Sequence, residues 1–110
     1  MDIDEYQAGA LETDMNTLIG GDALLYPVIG LIGEAGELAN KIKKIHRDRG
    51  GVLSEGDVAA LLDEAGDLHW YLAVLIHKLG GRSSDVLRRN REKLASRAAR
   101  GVIGGNGDYR

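Results

Sequence analysis

Two short acidic motifs hold the residues of this chain that are best suited to metal chemistry. They read GEAGELA and DEAGDLH, and each contains two carboxylates three positions apart. The pairs are Glu34 with Glu37 and Glu64 with Asp67. Residues at this spacing are neighbours on a helix surface, and four converging carboxylates repel one another unless cations neutralise them. Mg²⁺ suits such a group because it takes oxygen ligands and completes its shell with water and phosphate.

The spacing alone leaves two interpretations open, a metal site and a solvated acidic rim. Acidic pairs are common on exposed helix faces and carry little weight one at a time. Gly36 and Gly66 add to the case, because a glycine in a helix interior costs about 1 kcal/mol relative to alanine. We therefore expect a close approach of backbone or ligand at both glycines.

The spacing of apolar residues predicts four helices and no strand, so the fold class is all-α. The expected ranges are about 3–15, 28–50, 54–79 and 83–98. Ser54 with Asp57 resembles a capping box at the start of the third helix, and Ser83 or Ser84 is placed to cap the fourth. The whole chain, 1–110, is expected to form one domain with a glycine-rich, irregular tail over about 101–110.

The short connection between the second and third helices predicts an antiparallel helical bundle. Their apolar stripes would then face each other, and the acidic pairs would meet at the rim. A chain of 110 residues buries only about two-thirds of its unfolded surface. Because two long amphipathic helices present more apolar surface than such a chain can cover, we expect a homo-oligomer.

Composition excludes several classes of site and favours a cytoplasmic protein. There is no cysteine, so disulfides and thiolate metal sites are excluded. Of the three histidines, His46 is expected to be exposed and His69 and His77 to lie in the core or an interface. The acidic N-terminus does not resemble a signal peptide, and no apolar run is long enough to span a membrane. Residues 82–110 are basic, but the acidic body and the scarcity of aromatics disfavour nucleic-acid binding.

The sequence resembles the MazG family of all-α nucleoside triphosphate pyrophosphohydrolases. The family signature is ExxE on one helix and ExxD on the next, and here 26 residues separate the two motifs. The strings LIGEAGELANKIKK and LLDEAGDLHWYL are similar to the two motif helices, and EYQ, RNREKLASR and GNGDYR extend the similarity to both ends.

The resemblance implies Mg²⁺-dependent hydrolysis of ribo- or deoxyribonucleoside triphosphates to a monophosphate and pyrophosphate. The four acids would hold Mg²⁺, for which Mn²⁺ could substitute, and one of them would help to activate water. Helices from two subunits would complete each active-site four-helix bundle, in a dimer or a tetramer. Substrate contacts would come from Lys41, Lys44, Tyr71, Asn90, Lys93 and Arg97.

Other interpretations stay open beside this one. The chain could be a non-catalytic helical oligomerisation or regulatory module whose acids are surface residues, and such a module would not depend on metal. Lys41 and Lys44 could simply neutralise nearby acids across a turn of helix. Trp70 is expected in the core or an interface, and the tail with Arg110 could close over a triphosphate.

Overall fold

The computed structural model of the protein describes residues 1–108, and the all-α prediction is confirmed for them. The helices are α1 (Ile3–Glu12), α2 (Leu25–Arg49), α3 (Glu55–Lys78) and α4 (Ser83–Ala99). The segment between α1 and α2 is irregular and contains a single bridge between Ile19 and Asp22. No helix within residues 1–108 is both long and apolar enough to cross a membrane.

Helices α2 and α3 form the long hairpin that positions the acidic motifs. Helix α2 ends at Gly50, whose φ of 63° is the left-handed conformation that glycine adopts readily. Four residues later the predicted capping box is present in full. Ser54 Oγ accepts from the backbone N–H of Asp57, and the Asp57 carboxylate accepts from the backbone N–H of Ser54. Aspartate therefore serves here in place of the more usual glutamate.

Helix α1 is shorter than expected and lies along α3. It begins after Asp2, whose carboxylate caps the helix, and ends at Glu12 instead of Met15. Met15 is 88% exposed and lies beyond the end of α1, so its assignment to the apolar face of this helix was wrong. Thr13 follows the helix, and its hydroxyl accepts a hydrogen bond of 2.8 Å from Trp70 Nε1. Trp70 is half-buried against the core between α1 and α3, as expected.

Helix α4 is capped by side chains of α1, so the expectation that Ser83 or Ser84 caps it was wrong. Both serines lie inside the helix, in its first turn. The backbone N–H of Ser83 donates to Gln7 Oε1, and that of Ser84 donates to Asp4. Buried Gln7 also donates to the carbonyls of Ala73 and Gly81. These contacts fix the start of α4 against α1 and the end of α3.

The chain is open, with a small core. The buried apolar residues within residues 1–108 are Ala10, Pro27, Ile45, Ala73 and Val74. The radius of gyration is 17.0 Å, against about 13 Å for a compact domain of this length. Among the described helices, α2 contacts α3 alone. Large apolar side chains on α2 and α3 are exposed as a result, among them Ile29, Ile32, Val58 and Leu62.

Candidate metal centre

Three carboxylates from the two motif helices converge at the seam between α2 and α3. Glu34 comes from α2, and Glu64 and Asp67 come from the facing turn of α3. Each offers one carboxylate oxygen, and the three oxygens lie within 4.8 Å of one another. Glu34 and Glu64 are half-buried, whereas Asp67 is exposed. We call these three residues the acidic triad.

Neighbouring carboxyl groups and burial perturb the titration of Glu34. A hydrogen bond with Glu64 is the largest cause that raises the pKa of Glu34 from its ordinary 4.5 to about 6, and burial is the next. The charges of Glu64, Asp67 and Glu37 raise it further. Ionisation of Glu34 is thus less favourable in the folded protein than in a free glutamate, and a divalent cation bound among these acids would reverse that effect.

Glu64 is incompletely compensated, with a distant counter-charge at one carboxylate oxygen and no partner at the other. Its Oε2 atom is buried and has no hydrogen-bond partner in the part of the chain that the structure describes. Its Oε1 atom lies 3.7 Å from Lys41 Nζ, a long and partly exposed ion pair. A buried carboxylate oxygen without a partner is costly, and a bound cation would satisfy it. The donor set, three hard carboxylates without sulfur or imidazole, fits Mg²⁺ or Mn²⁺.

Glu37 and the two motif glycines lie at the edge of this arrangement. Glu37 is exposed and stands outside the triad, although its charge acts on Glu34. No heavy atom of residues 1–108 beyond the local helix lies within 4 Å of a Cβ built at Gly36 or Gly66. Close backbone approach at these glycines was therefore a wrong expectation for the single chain. Open space for a ligand is what the structure leaves there.

Lys41 and Lys44 extend the seam from the triad towards the connection between α2 and α3. Both line a shallow cavity of about 250 Å³. Arg49 and Asp57 lie at its far end and form an ion pair with each other. Asp48 also lines the cavity, so three cations face two acids and the lining carries a small net positive charge, which would favour phosphate oxygens.

Aromatic side chains lie on the opposite side of the triad. Tyr71, one turn after Asp67, contacts Trp70 edge-on at 5.0 Å between ring centroids and Tyr26 at 6.3 Å. Burial is the main cause that raises the pKa of Tyr71, and Tyr26, Glu34 and Asp67 add to it. The ring lies directly over Gly30 of α2. The predicted substrate residue Tyr71 therefore stands beside the acids in a half-buried aromatic row.

The three predicted substrate residues of α4 do not reach the triad within one chain. Helix α4 makes no contact with α2 in residues 1–108, and about 16 Å of helix separates Asp67 from the end of α3 where α4 begins. Asn90 and Lys93 line a separate cavity, and Arg97 is buried beneath the tail. Arg110 lies outside the described residues.

Sequence reasoning missed the position of Tyr6 beside the site. Burial is the main cause that raises the pKa of Tyr6 of α1, and the nearby charge of Asp67 is the second cause. The N-terminal EYQ string and the near absence of aromatics elsewhere were available signals for this contact. His69 and His77 are exposed, so neither is a core residue of the single chain, and His46 is exposed as predicted.

Comparisons with known proteins agree with this architecture. The MazG nucleotide pyrophosphohydrolase domain matches residues 24–101, which include both motifs of the hairpin and all of α4. The chain is also 45% identical, over the full length of both proteins, to the Gene 37 protein of Mycobacterium phage L5. No solved structure matches significantly. With four helices in residues 1–108, converging carboxylates and a domain match over most of its length, the chain belongs to the MazG nucleotide pyrophosphohydrolase family.

Proposed function

We propose that the protein hydrolyses nucleoside triphosphates to a monophosphate and pyrophosphate, with Mg²⁺ held by the acidic triad and assisted by Glu37. The buried, unpartnered Oε2 atom of Glu64 within a convergent set of carboxylates carries the proposal. Membership of the MazG family supports this reaction class.

The residues of the triad and those around it would have different roles in binding metal and substrate. Glu34, Glu64 and Asp67 would hold Mg²⁺, which when bound neutralises phosphate charge and lowers the pKa of coordinated water. One of the four acids would also help to activate the attacking water. Lys41 and Lys44 would hold the β- and γ-phosphates on the cationic side of the seam.

The nucleoside would lie on the aromatic side of the triad, against Tyr71. Aromatic rings stack on any base, so this contact by itself gives affinity with little choice among bases. Tyr71 is held in place by Trp70 and Tyr26, which limits the entropy it loses on binding. The triphosphate would then cross the triad with its α and β phosphorus atoms nearest the acids, and cleavage there releases pyrophosphate.

We also propose that the working form is a homo-oligomer in which α4 of one subunit approaches the triad of another. The open shape and the exposed apolar side chains of α2 and α3 support this arrangement. Asn90 and Lys93 would then serve the substrate of a second copy, because α4 makes no contact with α2 within residues 1–108 of its own chain. Light scattering tests the assembly, and an active monomer at micromolar concentration would contradict it.

Steady-state kinetics of charge-neutral variants test the catalytic assignment. Asp67→Asn should lower kcat by about a hundredfold or more, because removing one ligand weakens Mg²⁺ binding and its electrostatic assistance. Glu55→Gln, on the same helix but three turns away, is the matched control and should retain activity. Normal turnover in Asp67→Asn would place the chemistry elsewhere. An intact, inactive wild-type oligomer would instead favour a non-catalytic interaction module.

A further inference from the structure

A chain of hydrogen bonds joins the end of α1 to the aromatic row. The Nε1 atom of Trp70, the only polar atom of that side chain, donates to Thr13 Oγ1 at 2.8 Å. The Thr13 hydroxyl in turn donates to the carbonyl of Ala10 at 3.0 Å, in the last turn of α1. Ala10 is a buried core residue. The orientation of the indole ring is thus linked to the backbone of α1 through one hydroxyl group.

The position of Thr13 is fixed independently of Trp70. The side chain of the next residue, Asp14, is only 3% exposed and lies 3.3 Å from Nζ of Lys78, the last residue of α3. The other carboxylate oxygen of Asp14 accepts from the backbone N–H of Asn16 at 3.1 Å. Because this buried pair ties the chain just after α1 to the end of α3, Thr13 offers a fixed acceptor to which the indole ring conforms.

Trp70 is one of the groups that surround the Tyr71 ring. The two ring planes meet at 89°, an edge-on arrangement whose energy depends on their mutual orientation. The other groups around the ring belong to α2, where Gly30 lies beneath it and Tyr26 beside it. Trp70 can turn away by side-chain rotation, whereas Gly30 is part of the helix backbone. The hydrogen bond to Thr13 is therefore the contact that keeps the movable neighbour of Tyr71 in place.

This hydrogen bond has little to contribute to stability. It is exposed to solvent, and water can replace an exposed partner at a small cost in free energy. The apolar part of Trp70 packs on the core of α1 and α3 whether or not the bond is made. The main consequence of the bond is therefore the orientation of the indole ring, and through it the orientation of Tyr71.

We propose that Thr13 is a positioning residue for the nucleoside, acting through Trp70 on Tyr71. The inference rests on the proposed function, in which Tyr71 contacts the nucleoside while the acidic triad and two lysines hold the phosphates. Thr13 acts on the aromatic side of the triad alone. Loss of its hydroxyl should therefore weaken the binding of a nucleotide and leave the binding of a diphosphate group unchanged.

Isothermal titration with two ligands in the presence of Mg²⁺ tests this separation. One ligand is an α,β-methylene nucleoside triphosphate, which resists cleavage at the α–β bridge, and the other is methylenediphosphonate, which lacks a nucleoside. Thr13→Val removes the hydroxyl and should raise the Kd of the nucleotide about threefold to tenfold, the usual effect of one lost hydrogen bond. The Kd of methylenediphosphonate should not change. Thr13→Ser should restore nucleotide binding. Thr17→Val, at the only other threonine of the chain and an exposed one, is the matched control.

Two further measurements separate positioning from a structural role. Trp70 is the only tryptophan, so its fluorescence reports the contact without any ligand. Quenching by acrylamide should be greater in Thr13→Val than in the wild type or Thr13→Ser, because the indole ring is released. In turnover assays KM should rise by the same factor as Kd while kcat is unchanged, since the lost contact lies away from the cleaved bond.

The proposal is overturned if Thr13→Val and Thr17→Val bind the nucleotide equally well. It is also overturned if Thr13→Val loses kcat instead of KM, or loses methylenediphosphonate binding to the same extent, because either result indicates a general structural role. Its failure differs from that of the proposed function. Weaker nucleotide binding by Thr13→Val in a protein that cleaves no triphosphate would refute the hydrolase and leave the positioning role intact. Triphosphate cleavage with an unchanged Kd in Thr13→Val would do the reverse, and a wild type that binds no nucleotide would refute both.

Discussion

Replacing Gly30 by alanine should disturb the metal centre, although alanine is the better helix former. A Cβ at this position would lie 2.1 Å from Cε1 and 2.4 Å from Cζ of Tyr71. Ordinary contacts begin near 3.4 Å, so α2 and the Tyr71 ring must separate by roughly 1.3 Å. Gly30 lies one turn before Glu34 and Tyr71 lies one turn after Asp67, so the separation also moves the carboxylates of the triad apart.

The size of the effect follows from two opposing terms. Overpacking destabilises the fold by about 1–3 kcal/mol, and replacing glycine by alanine in a helix interior stabilises it by about 1 kcal/mol. Gly30→Ala should therefore lower the free energy of unfolding by up to about 2 kcal/mol. Gly33→Ala is the matched control on the same helix, because no described atom beyond the local helix lies within 4 Å of its Cβ. It should stabilise the protein by up to about 1 kcal/mol.

Thermal unfolding and Mg²⁺-dependent turnover of the two variants test this reasoning together. Their melting temperatures should differ by several degrees, with Gly33→Ala the higher, since 1 kcal/mol shifts a domain of this size by roughly 4 °C. Gly30→Ala should also need more Mg²⁺ for half-maximal activity. Equal stabilisation by both alanines, with unchanged Mg²⁺ dependence, would refute the claim that the contact between Gly30 and Tyr71 positions the triad.

Three further outcomes follow from the charges of the structure. Asp67→Asn should keep or raise the melting temperature of the metal-free protein but abolish its stabilisation by Mg²⁺. Glu37→Gln, at an exposed residue outside the triad, should only weaken that stabilisation. If both variants lost the same amount of Mg²⁺ stabilisation, the grouping of the triad would be wrong. The pKa of Glu34 is about 6 in the folded protein and ordinarily 4.5, so the stability of the metal-free protein should fall as the pH rises through this window. The rise in melting temperature that Mg²⁺ produces should grow over the same window. Melting curves between about pH 5 and about pH 8 test this, and a rise that stayed constant would disprove it. Asp14→Asn removes the charge partner, 3.3 Å away, of the largely buried Lys78 ammonium group, which keeps a 3.4 Å contact with Asn16 Oδ1. The cost should be about 3 kcal/mol in urea unfolding, and a loss below about 1 kcal/mol would argue against the burial of this pair.

The parts of the fold that depend on neighbouring residues could be predicted from the sequence. Apolar spacing located the four helices, and Ser54 with Asp57 located the start of α3, because capping is a local interaction. Helical geometry and a short connection were also sufficient to bring Glu34 near Glu64 and Asp67. Local spacing could not separate Glu37 from the other acids, since that difference depends on how the two helices rotate against each other.

Contacts between distant parts of the chain could not be predicted in this way. The capping of α4 by Asp4 and Gln7 depends on where α1 docks, which no local pattern specifies. The close approach of the helices occurs at Gly30, and nothing in its neighbourhood distinguished it from Gly36 or Gly66. The pairing of Asp108 with α4 likewise requires the tail to reverse direction, and glycines permit many such paths.

The most direct test of the central claim is the identity of the products formed from nucleoside triphosphates. Purified protein is incubated with a panel of ribo- and deoxyribonucleoside triphosphates and Mg²⁺, and phosphorus NMR follows each phosphate group over time. The proposed function predicts equal amounts of nucleoside monophosphate and pyrophosphate from at least one member of the panel, with none when Mg²⁺ is chelated. Release of orthophosphate with a nucleoside diphosphate, or turnover that persists without metal, would contradict it.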